Sequence, residues 1–290
     1  MKQYVLSTEN VTKSFQNTEI LHDINLSIEQ GEVYGLIGEN GAGKTTLLRV
    51  LSGLMKPTKG SIQLKVQKPY IGYMPQSCRF DDGLTVEETI RFFTKLRNAD
   101  MKESFVLLDV LKLEGRKKVK HLSPGQQKKL QIVIAMAGNP DFYILDEPTA
   151  GLDPMATVEI KRIIKNIHMK GKSILISSHI LQDMDEICTN IAILDKGYLT
   201  YNKEIHPYYM FTTSIISQEV VNELLQEDWK TGTAEAISVD VYRTTLTAHI
   251  SREQVPTLVA RLCECKVHIY EVKESNISQL VQEQLHIKEV

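Results

Sequence analysis

Residues 38–46 read Gly-Glu-Asn-Gly-Ala-Gly-Lys-Thr-Thr, a G-x-x-x-x-G-K-T loop. It lies between a short apolar run, Val33-Tyr34-Gly35-Leu36-Ile37, and a stretch of helical apolar spacing over residues 45–51 that stops at Gly53, with Pro57 beyond it. A strand must therefore turn sharply into a helix. Gly41 and Gly43 permit backbone angles closed to residues with a Cβ, so successive N–H groups can curl round an anion, and the helix that follows points its positive end at the same place. Lys44 adds a point charge suited to β- and γ-phosphates, and Thr45 a hydroxyl suited to Mg²⁺. Gly38, Glu39, Asn40, Gly41, Ala42, Gly43, Lys44, Thr45 and Thr46 are the candidate phosphate-binding residues.

A second run, Phe142-Tyr143-Ile144-Leu145, delivers Asp146 and Glu147 at its C-terminal end, where open parallel sheets place their ligands. Downstream of a phosphate loop, Asp146 is suited to hold Mg²⁺ through its water shell. Glu147, pointing to the opposite side, is suited to polarise an attacking water. Together with Ile174-Leu175-Ile176 and Ile191-Ala192-Ile193-Leu194, these continuous apolar runs alternate with amphipathic helices and predict a parallel sheet covered on both faces. Before it, residues 4–28 alternate polar and apolar, which predicts short antiparallel strands with turns near Asn10 and at Gln16-Asn17. A further apolar stretch, residues 70–74, is followed by a segment over about 77–137 with helical periodicity at 86–96 and 105–113, read as a helical insertion.

The rest of the composition narrows the class. With 34 Lys+Arg against 36 Asp+Glu the formal charge is −2, so no cationic excess favours nucleic acid. At about 150 residues per domain, 290 residues suggest one large domain with or without a small one. No window reaches the roughly 18 apolar residues of a membrane-spanning helix, and Met1-Lys2-Gln3-Tyr4 leads into mixed sequence rather than a signal core, so the expectation is a cytosolic chain. Cys78, Cys188, Cys263 and Cys265 have neither disulfide-framework nor zinc spacing, and read as inert thiols.

Several further segments follow in one order: Tyr73-Met74-Pro75-Gln76 after a strand, Leu122-Ser123-Pro124-Gly125-Gln126, the Asp146-Glu147 pair, Ala150-Gly151-Leu152-Asp153 and Ser177-Ser178-His179. With the phosphate loop, residues 4–201 closely resemble the ATP-binding cassette (ABC) ATPases. The resemblance implies a P-loop NTPase fold of the ABC type: an α/β nucleotide-binding domain over residues 1–205, with an N-terminal antiparallel β layer and the helical insertion. It implies ATP and Mg²⁺ as cofactors, Phe15 stacked on adenine, and Gln76 reaching the metal and the attacking water. It also implies Glu147 as the catalytic carboxylate, His179 on the γ-phosphate, and Thr45, Gln76 and Asp146 round the metal. Ser123, Gly125 and Gln126 of the signature, with Asp153, would act across a subunit boundary. One copy of each motif then calls for two chains, identical or not, closing as a two-fold dimer with ATP between them.

This chain departs from the family at Pro124, where the signature usually has Gly. Proline is well tolerated at the first helical position, so Ser123 can still cap a helix over 124–137, at the loss of one N–H donor. The resemblance implies a separate transmembrane permease, a location at the cytoplasmic face of the membrane, and no nucleic acid. Residues 79–84 are the candidate permease contact, against the plainer reading of a solvated turn before a helix start at Thr85. A cassette with a C-terminal appendage resembles bacterial exporters of drugs, antimicrobial peptides or amphipathic toxins; import, or a soluble role in translation or DNA repair, are the alternatives. Residues 206–290 are read as a small α+β appendage of βαβα type, regulatory, dimer-forming or merely stabilising. It opens at a break, Pro207-Tyr208-Tyr209, and continues with a helix over 218–226, strands near 237–241 and 246–250, a helix at 253–262, a strand at 267–272 and a last helix at 277–285.

Overall fold

The computed structural model describes residues 3–66, 71–100, 105, 106, 108, 110–185, 187–204, 209–226, 237–240, 242, 244–248, 250 and 254–274. The chain divides into two compact units, Met1–Glu204 and Ile205–Val290.

In the first unit an antiparallel sheet is built round β1 (Tyr4–Phe15), which pairs with β2 (Thr18–Ile24), β3 (Ser27–Glu29) and β5 (Lys59–Leu64). The turn expected near Asn10 is not there. Asn10 takes φ 47° inside β1, its backbone N–H donates to Asn25 Oδ1 and its side-chain oxygen accepts from Asn25 Nδ2, so the strand bends and runs on. Bending lets its first half pair with β3 and its second half with β2. The turn at Gln16-Asn17 is present, with Gln16 at φ 52°.

The second sheet has the order β10-β9-β4-β8-β7-β6. Its parallel strands are β4 (Val33–Ile37), β6 (Gly72–Met74), β7 (Phe142–Asp146), β8 (Ser173–Ser178) and β9 (Asn190–Asp195), with β10 (Tyr198–Glu204) antiparallel at one edge. Every residue of β4, β7 and β8 is buried, the reason these strands read as unbroken apolar runs. Helix α1 (Lys44–Leu51) presents Leu47, Leu48 and Leu51 to a core shared with Leu6, Leu21 and Ile28 of the antiparallel layer and with Tyr34, Leu36 and Ile144 of the parallel sheet. Each such side chain contributes about 1.5–3 kcal/mol by leaving water, which fixes α1 and the loop before it between the two sheets.

The insertion carries α2 (Val86–Leu96), started by a reciprocal Thr85–Glu88 capping box, and α3 (Pro124–Met136), which packs on α2 and β6. Residues 105, 106, 108 and 110 are helical, as the periodicity over 105–113 predicts, a 3-10 turn spans Val119–His121, and helices α4 (Pro154–Met169) and α5 (Leu181–Asp185) follow. No helix among the described residues is long and apolar enough to cross a membrane. The four cysteines are free, and burial pushes the thiols of Cys78 and Cys188 up, away from the reactive thiolate.

In the second unit β11 (Tyr209–Thr213), α6 (Gln218–Gln226), β12 (Ile237–Val239), β13 (Thr245–Ala248), α7 (Val255–Glu264) and β14 (Ile269–Glu274) form an antiparallel sheet in the order β12-β13-β11-β14. This is a βαββαβ arrangement, a split βαβ, and not the expected βαβα type. Tyr209, read from sequence as part of a break, is buried and opens β11. The unit has its own core of Phe211, Leu224, Leu246, Leu258 and Leu262. The expected helix over 277–285 lies outside the described residues.

Candidate active site

Four neighbouring parallel strands, β4, β8, β7 and β6, deliver the candidate residues from their carboxyl ends. From β4 the chain enters the phosphate loop, where Gly41 and Gly43 take φ 89° and 106°. Both angles lie in the left-handed region that favours glycine. Lys44 is buried, and its Nζ donates to the carbonyls of Gly38 (2.6 Å) and Glu39 (3.0 Å), bridging the loop it follows. Asn40, Gly41, Gly43, Lys44, Thr45 and Thr46 line a cleft together with Ile20, Gln76 and Glu147.

β7 ends in Asp146 and continues into Glu147. Asp146 pairs across the sheet with Ser177 of β8, whose hydroxyl donates to Asp146 Oδ1 at 2.7 Å. The same hydroxyl accepts from the Glu147 N–H at 3.0 Å. Glu147 has φ 47°, a left-handed conformation that costs a non-glycine residue about 1–3 kcal/mol and persists where surrounding contacts over-determine it. Its carboxylate meets three side chains: Oε1 is 3.5 Å from Lys44 Nζ, and Oε2 is 3.4 Å from Gln76 Nε2 and 3.1 Å from His179 Nδ1. The last contact requires the imidazole proton on Nδ1, because an ionised carboxylate only accepts. Gln76, Glu147 and His179, the three expected catalytic residues, thus converge on the phosphate loop.

The signature residues do not reach this cleft within the chain. Ser123 caps α3: its hydroxyl accepts from Gln126 N (3.3 Å) and Gln126 Oε1 accepts from Ser123 N (3.1 Å), with Pro124 at the first helical position as expected. Ser123 is exposed, Lys117 Nζ sits 3.0 Å from Gln126 Oε1, and Gly125 lies beside Leu152 and Ala156. Asp153 caps α4, accepting from Ala156 N at 2.9 Å. Phe15 ends β1, 42% exposed, with Lys13 Nζ 5.1 Å from its ring centroid; among its neighbours on β2 it is Ile20 that lines the cleft. Residues 79–84 form a largely exposed turn, with Gly83 N donating to Asp81 Oδ1 before the Thr85 cap, an arrangement compatible with both readings of this segment.

Other groups of this neighbourhood escaped the sequence reading. Ser177 is one, and the strand register that sets it beside Asp146 would have been its only signal. Another is a buried contact in which Thr149 donates to Asp183 Oδ2 (2.7 Å) while Lys161 pairs with Asp183 Oδ1 (2.8 Å), joining the segment after Glu147 to the one after His179.

A phosphate-binding loop entering a helix from a parallel sheet, faced by an Asp-Glu pair, a glutamine and a histidine on adjoining strand ends, defines a P-loop nucleoside triphosphatase. The family model of the ABC transporter matches residues 21–150. The chain is 35% identical over 210 residues to the bacitracin transport ATP-binding protein BcrA of Enterococcus faecalis, covering 68% of each chain. It is 33% identical over 208 residues to the Nod factor export ATP-binding protein I of Cupriavidus pinatubonensis, covering 67% of this chain and 64% of that one. Among solved structures, the ATP-binding cassette MJ0796, a dimer in a post-hydrolysis state bound to ADP and Pi, superposes with a TM-score of 0.63 at 25% identity, covering 69% of this chain and 98% of that one. The chain belongs to the ABC transporter ATP-binding family, and it is an ATPase.

Proposed function

We propose that this ATPase hydrolyses Mg²⁺-ATP in a two-fold dimer whose closing and opening drive a separate transmembrane permease, most directly for export of a drug, antimicrobial peptide or amphipathic toxin. The observation that carries the reading is the Glu147 carboxylate, buried and held between Lys44, Gln76 and His179 at the phosphate loop. A carboxylate so placed can take the proton of a water aimed at the γ-phosphate, while Lys44 and the loop N–H groups stabilise the charge that develops there. His179, 3.1 Å from the Glu147 carboxylate, helps to orient it and would contact the γ-phosphate of bound ATP.

The site also fits Mg²⁺. Asp146 Oδ2 is buried without a hydrogen-bond partner among the described residues, at the strand end that faces the loop. Asp146, the Thr45 hydroxyl and the side-chain amide oxygen of Gln76 are hard oxygen donors of the kind Mg²⁺ takes, and these residues would hold it. When bound, the ion neutralises charge on the β- and γ-oxygens. Phe15 would stack on the adenine.

Dimerisation is supported by what the single chain leaves unused. Ser123, at the positive end of α3, is exposed and is not among the residues that line its own chain's cleft, which suits the role the family resemblance implies for it at the γ-phosphate of a partner's site. Pro124 leaves the Ser123 hydroxyl and the Gly125 N–H as the donors. Asp153 would contact the partner. The export direction is supported by relatives named for bacitracin transport and Nod factor export. In this reading the chain sits at the cytoplasmic face of the membrane through the permease, which docks on the insertion near residues 79–84, and the unit Ile205–Val290 is an appendage to the cassette.

Tagged chain carrying Glu147→Gln, purified from detergent-solubilised membranes of the source cell with Mg²⁺-ATP, tests this. The expected result is a protein of doubled mass that brings a multi-spanning membrane protein in stoichiometric amount. Ribosomal or DNA-repair components without such a partner would reassign the purpose of the ATPase.

A further inference from the structure

Lys128 stands in the second turn of α3, four residues past Pro124, and its ammonium serves two segments remote from it in sequence. Nζ donates to the carbonyl of Gln76 at 2.8 Å and to the carbonyl of Glu147 at 3.0 Å. The first is the backbone of the glutamine that touches the Glu147 carboxylate. The second is the backbone of Glu147 itself. With Glu147 N–H held by Ser177 and its carbonyl held by Lys128, the left-handed residue is fixed on both sides by side chains from different elements, β8 and α3. That is the over-determination such a conformation needs. The lysine is partly buried; desolvation pulls its pKa down, while the charges of Asp146 and Glu147 act to raise it. A cation drawn in by two carboxylates and donating to two carbonyls has strong, directional bonds.

We propose that Lys128 is a positioning residue for hydrolysis: acting through the backbones of Glu147 and Gln76, it holds the catalytic carboxylate and its glutamine partner in register and ties both to the helix that begins at the signature Ser123. Whatever moves α3 moves the carbonyl anchor of Glu147, so this ammonium group links the insertion to the backbone of the catalytic carboxylate. The inference rests on the assignment of Glu147 as the water-polarising group.

Its test uses the full chain with Lys128→Met, Lys128→Gln, Lys128→Arg and Glu147→Gln side by side, reading steady-state Mg²⁺-ATP hydrolysis and the affinity for a fluorescent ATP analogue. Lys128→Met is expected to lower kcat about 10- to 100-fold, the range reached when a catalytic group is misplaced by about an ångström. KM and analogue affinity should stay within about twofold, since the phosphate loop is untouched. Lys128→Arg, which keeps the charge and the donors, is expected to recover most of kcat. The inference is overturned if Lys128→Met keeps full kcat, if kcat and affinity fall together, or if Lys128→Arg is as slow as Lys128→Met. Should Lys128→Met fail to fold, Lys128→Gln, nearly isosteric over its first carbons and uncharged, is judged by the same split. The control separates the two assignments: Glu147→Gln with undiminished hydrolysis removes the premise, whereas an inactive Glu147→Gln beside a fully active Lys128→Met removes only the role of the lysine.

Discussion

The two units of this chain place their polar side chains in opposite ways. In Met1–Glu204, parallel strands buried on both faces carry chemistry only at their carboxyl ends, and because β4, β8, β7 and β6 are neighbours, those ends bring Lys44, His179, Glu147 and Gln76 into contact across more than a hundred residues of sequence. In Ile205–Val290, the antiparallel strands β11 and β13 alternate buried and more open positions, and most polar contacts among the described residues are short in range, as between Asp240 and Thr244 or Arg261 and Glu264. A parallel sheet collects remote residues at one edge; an antiparallel one leaves them spread over its surface.

If that contrast is right, a single carboxylate should matter far more in the first unit. Glu147→Gln is expected to depress ATP turnover about 10²–10⁴-fold, the usual range for a positioned general base, with analogue affinity within about twofold. Full turnover in a phosphate-release assay would mean that the convergence at the strand ends is not catalytic. The second unit is expected to answer to packing instead. Phe211 is fully buried at the centre of its own core, and Phe211→Ala should destabilise that unit by about 3–5 kcal/mol. Hydrogen exchange should then quicken in β11 and β13 while nucleotide affinity holds. A parallel loss of affinity would show one cooperative structure where the contrast requires two.

What could be read in advance follows the same division. β4, β7, β8 and β9 were legible because strands covered on both faces are continuous apolar runs, and α3 because Pro124 and Ser123 mark a helix start. β5 was missed: nearly all of Lys59–Leu64 is exposed, so it carries no apolar period and is held by pairing to β1. β10 was missed, and so was β11, because Pro207-Tyr208-Tyr209 resembles a break in sequence whereas Tyr209 opens the strand. The βαββαβ order was lost with β11. In the site, the motif residues were legible because each bears its own chemistry. Ser177 and Lys128 were not, since they act on the backbone of residues 30 and 19 positions away, and nothing in a linear spacing marks a side chain whose partner is a carbonyl or an N–H.

Ser177→Ala sharpens the contrast at intermediate size. It strips the buried Asp146 carboxylate of a donor and the Glu147 N–H of its acceptor, at about 1.5–3 kcal/mol for a hydrogen bond to a charged group. A lowered midpoint of cassette unfolding in urea, with a reduced kcat, is the expected result. An unchanged midpoint with normal turnover would mean that the left-handed Glu147 needs no support from β8.

The smallest effect lies in the second unit, at a carboxylate that, like those of the cassette, is held by hydrogen bonds. Asp240, just after β12, accepts from the N–H groups of Thr244 (2.7 Å) and Thr245 (2.9 Å), closing the connection to β13. Those backbone hydrogen bonds, the one from Thr245 foremost, hold its carboxyl below the ordinary carboxylate range against a weaker opposing effect of burial. A carboxyl whose pKa is depressed in the folded state stabilises it above the unfolded value of about 3.9, and that stability drains away as pH falls through the folded value. Asp240→Asn keeps an acceptor but not the charge. The variant should therefore exchange the amides of Thr244 and Thr245 faster than the parent near neutrality, and the two should become alike as the parent's carboxyl protonates in acid. A gap that stays constant with pH would assign the turn to shape alone, with no part for the Asp240 charge.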